Sequence, residues 1–142
     1  MVSTKGRYAL RVMLDLAQSS TDAYIPLADI AERQGISEKY LESIISVLSK
    51  NGFLKALRGK GGGYKLARAP QDYTVGNILK LTEGSLAPVA CLDSSENRCS
   101  RAAECRTLRM WSGLNSIIDN YVESITIADL LLDDPGAQNY SI

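Results

Sequence analysis

The sequence predicts a mostly α-helical fold with a small β-hairpin wing, that is, a winged helix-turn-helix domain followed by a long C-terminal dimerisation helix. Three observations carry this. Residues 27–50 read as helix, short glycine-containing turn, helix; residues 53–66 read as two short strands around a basic, glycine-rich tip; and residues 111–128 repeat apolar side chains at spacings of 3 and 4. At 142 residues and 45% hydrophobic composition, the chain can bury one core and carry one appended element. The expected organisation is a winged domain over 1–83, a cysteine-containing loop over 84–100, a dimerisation helix region over 101–132 and a tail over 133–142.

The first helix is expected to open at Ser3 or Thr4, either of which can cap free amides, and to run to Gln18 with Ala9, Val12, Met13, Leu16 and Ala17 on one stripe. Lys5, Arg7 and Arg11 lie in or near its opening turns, where the helix dipole disfavours cations by about 0.3–1 kcal/mol each. A phosphate outside that end offsets the cost; solvated surface charge is the plainer alternative. Pro26 suits the first turn of a second helix with Leu27, Ile30 and Ala31 inward, and Gly35 ends it as a C-cap.

Ser37 then caps a third helix whose core stripe is Leu41, Ile44, Ile45 and Leu48. Its other face carries Lys39, Glu42, Ser43, Ser46, Ser49 and Lys50. Small hydroxyls let a helix sit deep in a major groove, and Glu42 can accept a hydrogen bond from a cytosine amino group; an ordinary solvated face is the alternative. Asn51-Gly52 stops this helix, and strands at 53–57 and 64–66 flank Arg58-Gly59-Lys60-Gly61-Gly62-Gly63. A phosphate-cradling loop is excluded, because Gly61 follows Gly59-Lys60 where Ser or Thr is required and Tyr64 replaces the third glycine of a dinucleotide fingerprint. A hairpin tip carrying Arg58 and Lys60 suits a wing that reaches a minor groove or the phosphates.

Past the Ala69-Pro70 break, a helix from Tyr73 or Thr74 to Glu83 offers Val75, Ile78, Leu79 and Leu81 to the domain. Residues 85–100 are polar and turn-forming. A last helix is expected from a Ser100 cap to about Ser124, with Trp111, Leu114, Ile118, Tyr121 and Ile125 as an a/d dimerisation seam; packing back on its own domain is the alternative. A closing TIADLL turn and the acidic Asp133-Asp134-Pro135-Gly136 precede the tail.

The net charge is zero, yet it is unevenly spread. Residues 1–83 carry 12 Lys and Arg against 8 Asp and Glu, giving +4, and residues 84–142 carry 4 against 8, giving −4. Residues 37–68 hold 7 basic and 2 acidic side chains, so the positive charge gathers on the helix and wing. No stretch reads as a signal peptide or membrane span, so a cytoplasmic location and no membrane partner are expected. Without histidine, a catalytic dyad or a phosphate loop, no general base can be assigned and an enzyme is not expected.

Cys91, Cys99 and Cys105 sit among Asp, Ser, Asn and Arg rather than on an apolar stripe. A disulfide framework is disfavoured by their odd number and by the expected compartment. Structural zinc wants four ligands, usually with a Cys-x-x-Cys knuckle, and neither that nor a histidine is present. An iron–sulfur cluster tolerates looser spacing, with Arg98, Arg101 and Arg106 offsetting the charge of thiolates and sulfides. Zinc and free or redox-active thiols are the alternatives.

These features resemble the Rrf2 family of bacterial winged-helix transcription regulators, and within it the iron–sulfur cluster regulators. The likeness is carried by Ser3-Thr4-Lys5-Gly6-Arg7-Tyr8-Ala9, Ser37 with Tyr40-Leu41-Glu42, and Arg58-Gly59-x-Gly61-Gly62-Gly63-Tyr64. The Glu83-Gly84 junction, the three cysteines, and residues 108–114 running on to Ile125-Thr126-Ile127-Ala128-Asp129-Leu130 extend it over nearly the whole chain. The resemblance implies a homodimeric repressor on a palindromic operator in double-stranded DNA, each recognition helix in a major groove and each wing in the flanking minor groove.

On that reading the DNA-facing residues are Thr4, Lys5, Ser37, Lys39, Tyr40, Glu42, Arg58, Gly59, Lys60 and Tyr64, with Glu42 reading a cytosine. Cys91, Cys99 and Cys105 match three thiolate ligands of a cluster, 2Fe–2S ahead of 4Fe–4S. Where such regulators place a histidine three residues after the last cysteine, this chain has Leu108, which leaves the fourth ligand to Glu104, Glu96 or Asp93, to the partner subunit, or to an exogenous molecule. Two further branches stay open: nitric-oxide sensors with a 4Fe–4S cluster, and a cluster-free, thiol-sensing regulator of cysteine metabolism gated by a docked metabolic enzyme.

Overall fold

The computed structural model describes residues 1–19 and 22–133. Its elements are α1 Thr4–Gln18, α2 Leu27–Gln34, α3 Glu38–Lys50, β1 Leu54–Leu57, β2 Gly63–Leu66, α4 Val75–Glu83, α5 Leu108–Glu123 and α6 Ile127–Leu131. Short 3-10 turns occupy Pro70–Asp72, Ala90–Leu92 and Ala102–Glu104. Side-chain caps start four of the helices, three of them in the winged body. Ser3 Oγ accepts from the Gly6 amide at 3.4 Å, Ser37 Oγ from Tyr40 at 3.2 Å, and Thr74 Oγ1 from Asn77 at 2.9 Å. Gly35, in the left-handed region, ends α2 and turns the chain into α3.

The core lies where α1, α2 and α3 cross, around Val12, Met13, Ile30, Leu41, Ile44, Ile45 and Leu48, and it is closed by Ile78 of α4 and Ile127 of α6. Asp15 is buried at 4% exposure, and it accepts from Arg33 Nε at 3.0 Å and Nη2 at 2.7 Å and from Gln34 Nε2 at 2.7 Å. That triple contact fixes α2 on α1; Arg11 adds a second tie by donating to the side chain and backbone carbonyl of Gln34. The Asp15 carboxylate in turn holds the Arg33 guanidinium above its ordinary pKa.

The wing is an antiparallel pair with Leu54 opposite Leu66 and Ala56 opposite Tyr64. Ile25 extends it, exchanging both amide–carbonyl bonds with Tyr64 at 2.8 Å. A Cβ on Gly63 would overlap the Ile25 carbonyl and one on Gly62 that of Leu57, so the base of the wing closes only on glycines. Tyr73 joins wing to body: it is fully buried, its hydroxyl donates to the Phe53 carbonyl at 2.7 Å, and it accepts from the Arg68 amide at 2.9 Å.

The C-terminal arm differs from expectation in its details. Ser100 does not cap a helix; the chain makes the 3-10 turn Ala102–Glu104 first, and α5 begins at Leu108. The TIADLL stretch is a true short helix, α6, with a capping box between Thr126 and Asp129. The Asp133-Asp134-Pro135-Gly136 turn and the tail fall, beyond Asp133, outside the described residues. Among the described residues, no helix is long and apolar enough to cross a membrane.

Candidate nucleic-acid interface

The outward face of α3 carries Lys39, Glu42 and Ser43, all exposed, and none of the three forms an ion pair among the described residues. Tyr40 is half-buried instead, packed edge-on against Tyr8 of α1 with ring centroids 5.7 Å apart, while Arg11 lies 5.1 Å over the Tyr8 ring. Tyr40 therefore ties the first turn of the recognition helix to α1, with the Ser37 cap fixing the backbone beside it. Thr4 is exposed and Lys5 half-buried at the start of α1. Glu83 holds that end in place by accepting from the Ser3 amide at 2.9 Å and hydroxyl at 2.6 Å.

Between α3 and the wing runs a cleft of about 570 Å³, lined on one side by Glu42, Ser46, Ser49 and Lys50 and on the other by Ala56, Arg58, Gly59 and Tyr64. Arg58, Gly59 and Lys60 are exposed at its outer lip. The Ser49 hydroxyl is buried in this wall without a hydrogen-bond partner among the described residues. Small hydroxyls facing cations across a groove form a surface that accepts a phosphodiester backbone and the edge of a base.

The sequence-predicted dimer seam is divided between two faces. Leu114 and Tyr121 are exposed at 38% and 65%, whereas Trp111, Ile118 and Ile125 are half-buried. Met110 at 52% and Ile117 at 67% complete the exposed stripe, and the sequence reading missed both. Apolar residues occur in adjacent pairs at 110–111 and 117–118, so two neighbouring helical frames fit the spacing equally; burial decides between them.

The cysteines are reachable but not gathered. Cys91 is half-buried, and Cys99 and Cys105 are exposed. Cys91 and Cys99 line one cleft of about 400 Å³ with Glu96 and Arg98, and Cys105 does not line it. Among the described residues no three Cys, Asp or Glu side chains are grouped as a metal site, so the expected three-thiolate centre is not assembled in this conformation. The hydrogen bonds of 85–105 close within three residues of their origin, which leaves the loop bonded to itself rather than to the body. Three thiols with arginines beside them fit the chemistry of an iron–sulfur cluster, and the loop's purely local bonding gives the sulfurs room to converge. Cys105 stands apart chemically too. The Thr107 hydroxyl, 3.4 Å from Sγ, and the backbone of Thr107 and Leu108 lower its pKa below that of an ordinary thiol.

A helix-turn-helix with a hairpin wing beside its second helix defines a winged-helix transcriptional regulator. The family model for Rrf2, described as an iron-dependent transcriptional regulator, matches residues 2–133, and the chain belongs to that family. It is similar to the HTH-type transcriptional regulator IscR of Photobacterium profundum, at 39% identity over 133 residues that cover 94% of this chain and 76% of the relative. The IscR of Aliivibrio salmonicida is 37% identical over 137 residues, covering 96% and 80%. Among solved structures, T. potens IscR matches with a TM-score of 0.76 at 42% identity, covering 97% of this chain and 90% of that one. CymR, the global cysteine regulator of B. subtilis, matches with a TM-score of 0.76 at 32% identity, covering 94% and 98%. The protein is thus a DNA-binding transcriptional regulator of the IscR type.

Proposed function

We propose that the protein is a homodimeric repressor that binds a palindromic operator and reports iron–sulfur cluster status through Cys91, Cys99 and Cys105. The observation that carries the DNA-binding part is the cleft between α3 and the wing, with Ser46, Ser49 and Lys50 facing Arg58 across it. In this reading Lys39, Glu42 and Ser43 enter a major groove, Thr4, Lys5 and Ser37 stand at the phosphate backbone, and Arg58-Gly59-Lys60 reaches the neighbouring minor groove. Glu42 serves discrimination: a carboxylate beside phosphates weakens binding except where a cytosine amino group donates to it. The stripe Met110, Leu114, Ile117 and Tyr121 pairs with its copy in a second chain, which brings two recognition helices to one duplex.

Cys91, Cys99 and Cys105 would hold the cluster, 2Fe–2S ahead of 4Fe–4S, with Arg98 beside two of them. When bound, such a group supplies a centre sensitive to oxidation and to cluster supply. Anaerobically purified protein is expected to be coloured and to contain iron and acid-labile sulfide, with a Mössbauer spectrum that fixes the nuclearity. Protein that stays colourless after reconstitution removes the cluster part and leaves the DNA-binding part standing.

A second reading is favoured by one observation, the exposed Cys105 thiol with its lowered pKa, set apart from the other two. There the thiols sense oxidants directly and a docked metabolic enzyme gates the dimer. Specific retention of such an enzyme by a variant lacking all three cysteines supports this reading against the first.

A further inference from the structure

We infer that Glu123 is a positioning residue that sets the separation of the two recognition helices, and with it the half-site spacing the protein accepts; this rests on the dimer reading above. The Glu123 carboxylate lies in the N-terminal turn of α4, directly over Gly76, where any Cβ would overlap Oε1. Thr74 Oγ1 donates to Oε2 at 3.1 Å and Lys80 Nζ to Oε1 at 3.1 Å. Lys80 also pairs with Asp119, one turn back on α5, and these two carboxylates, Asp119 first, hold its ammonium above the ordinary pKa. The dipole of α4 favours an anion at this end. Backbone bonds close the joint: the Val75 amide donates to the Ile125 carbonyl at 2.8 Å, and the Ile127 amide to the Tyr73 carbonyl at 3.0 Å.

An isolated exposed ion pair contributes little to stability, but this contact does something else. It fixes the direction in which α5 leaves the body, because the carboxylate, seated over Gly76, bonds both the cap and the following turn of α4. The other end of α5 continues into a loop whose hydrogen bonds, among the described residues, are local. From Met110 to Tyr121 the exposed stripe runs about 16 Å along the helix. A tilt of about 10° at Glu123 therefore moves its far end by about 3 Å, close to the ~3.4 Å rise of one base pair.

The test uses the full-length protein, an operator selected by it from random duplexes, and versions of that operator with the centre lengthened or shortened by one base pair. Affinities come from fluorescence anisotropy, with the state on DNA read by analytical ultracentrifugation. Wild type is expected to prefer its own spacing by about tenfold or more. Glu123→Gln and Lys80→Met, folded by circular dichroism and dimeric, are expected to reduce that preference to about threefold or less, while Lys80→Arg retains it. Equal weakening on every duplex, or an unchanged spacing preference in both loosened variants, overturns the inference and leaves the dimer reading intact. A wild-type protein that binds as one chain per duplex overturns both.

Discussion

The winged body and the C-terminal arm are built on different terms. In the body, every helix buries a stripe against its neighbours, and Met13, Ile30, Leu41, Ile44 and Leu48 have no exposed surface. In the arm, α5 has no fully buried residue, although it carries four large apolar side chains on one exposed line. Burial stabilises by about 25 cal/mol per Å² of apolar surface, so a stripe left in water forgoes a contribution that the body collects in full. The body is specified by its own contacts. The arm, held at Glu123 and α6, keeps its apolar stripe in solvent, and the proposed dimer is what would cover it.

Substitutions sharpen that contrast, beginning with the body. Ile44→Ala should lower the unfolding free energy by about 2–5 kcal/mol in a denaturant titration. Ile117→Asp should change monomer stability by less than about 0.5 kcal/mol, yet move the sedimentation coefficient from dimer to monomer. If Ile117→Asp unfolds the chain instead, α5 packs within its own molecule and the comparison breaks. Tyr73→Phe tests the joint between wing and body: the Arg68 amide would lose its partner while the Phe53 carbonyl keeps the Ala67 amide, at a cost of about 1–3 kcal/mol.

Smaller effects distinguish the two surfaces by function rather than stability. Arg58→Ala should lose about 1–3 kcal/mol of DNA affinity if the wing reads bases, with the loss confined to particular base pairs, and Lys60→Ala should weaken all sequences alike and flatten the salt dependence. Glu42→Ala should keep or raise affinity while relaxing selectivity at one position, measured by competition between operator variants. In the arm, alkylation by iodoacetamide should modify Cys105 first. Its lowered pKa means the thiolate is already populated at a pH where an ordinary thiol is protonated, so its rate should rise at lower pH than that of a free cysteine thiol. Reaction of all three at one rate and one midpoint would remove the distinction drawn for Cys105.

Much of the body was legible in the sequence because its signals are local. Ser3, Ser37 and Thr74 cap where a hydroxyl precedes an apolar period, Gly35 adopts the left-handed turn, and Arg58 to Tyr64 forms a hairpin whose glycines are demanded by backbone contacts. The arm was legible only in outline. Of the expected seam, Leu114 and Tyr121 are exposed and Trp111, Ile118 and Ile125 half-buried, because the adjacent pairs 110–111 and 117–118 satisfy two helical frames at once. Contacts far apart in sequence were invisible: Glu83 on Ser3, Glu123 on Thr74 and Asp15 on Arg33 leave no local periodicity to read. The separation of Cys105 from Cys91 and Cys99 was equally hidden, since spacing along a loop says little about where its thiols stand.

Whether the body reads DNA in pairs because the arm pairs its chains is decided by selecting binding sites from a random duplex library and counting chains on the enriched site. A two-fold symmetric consensus occupied by two chains is expected, lost together with dimerisation in Ile117→Asp. An asymmetric consensus occupied by a single chain, and bound as well by Ile117→Asp, would contradict it.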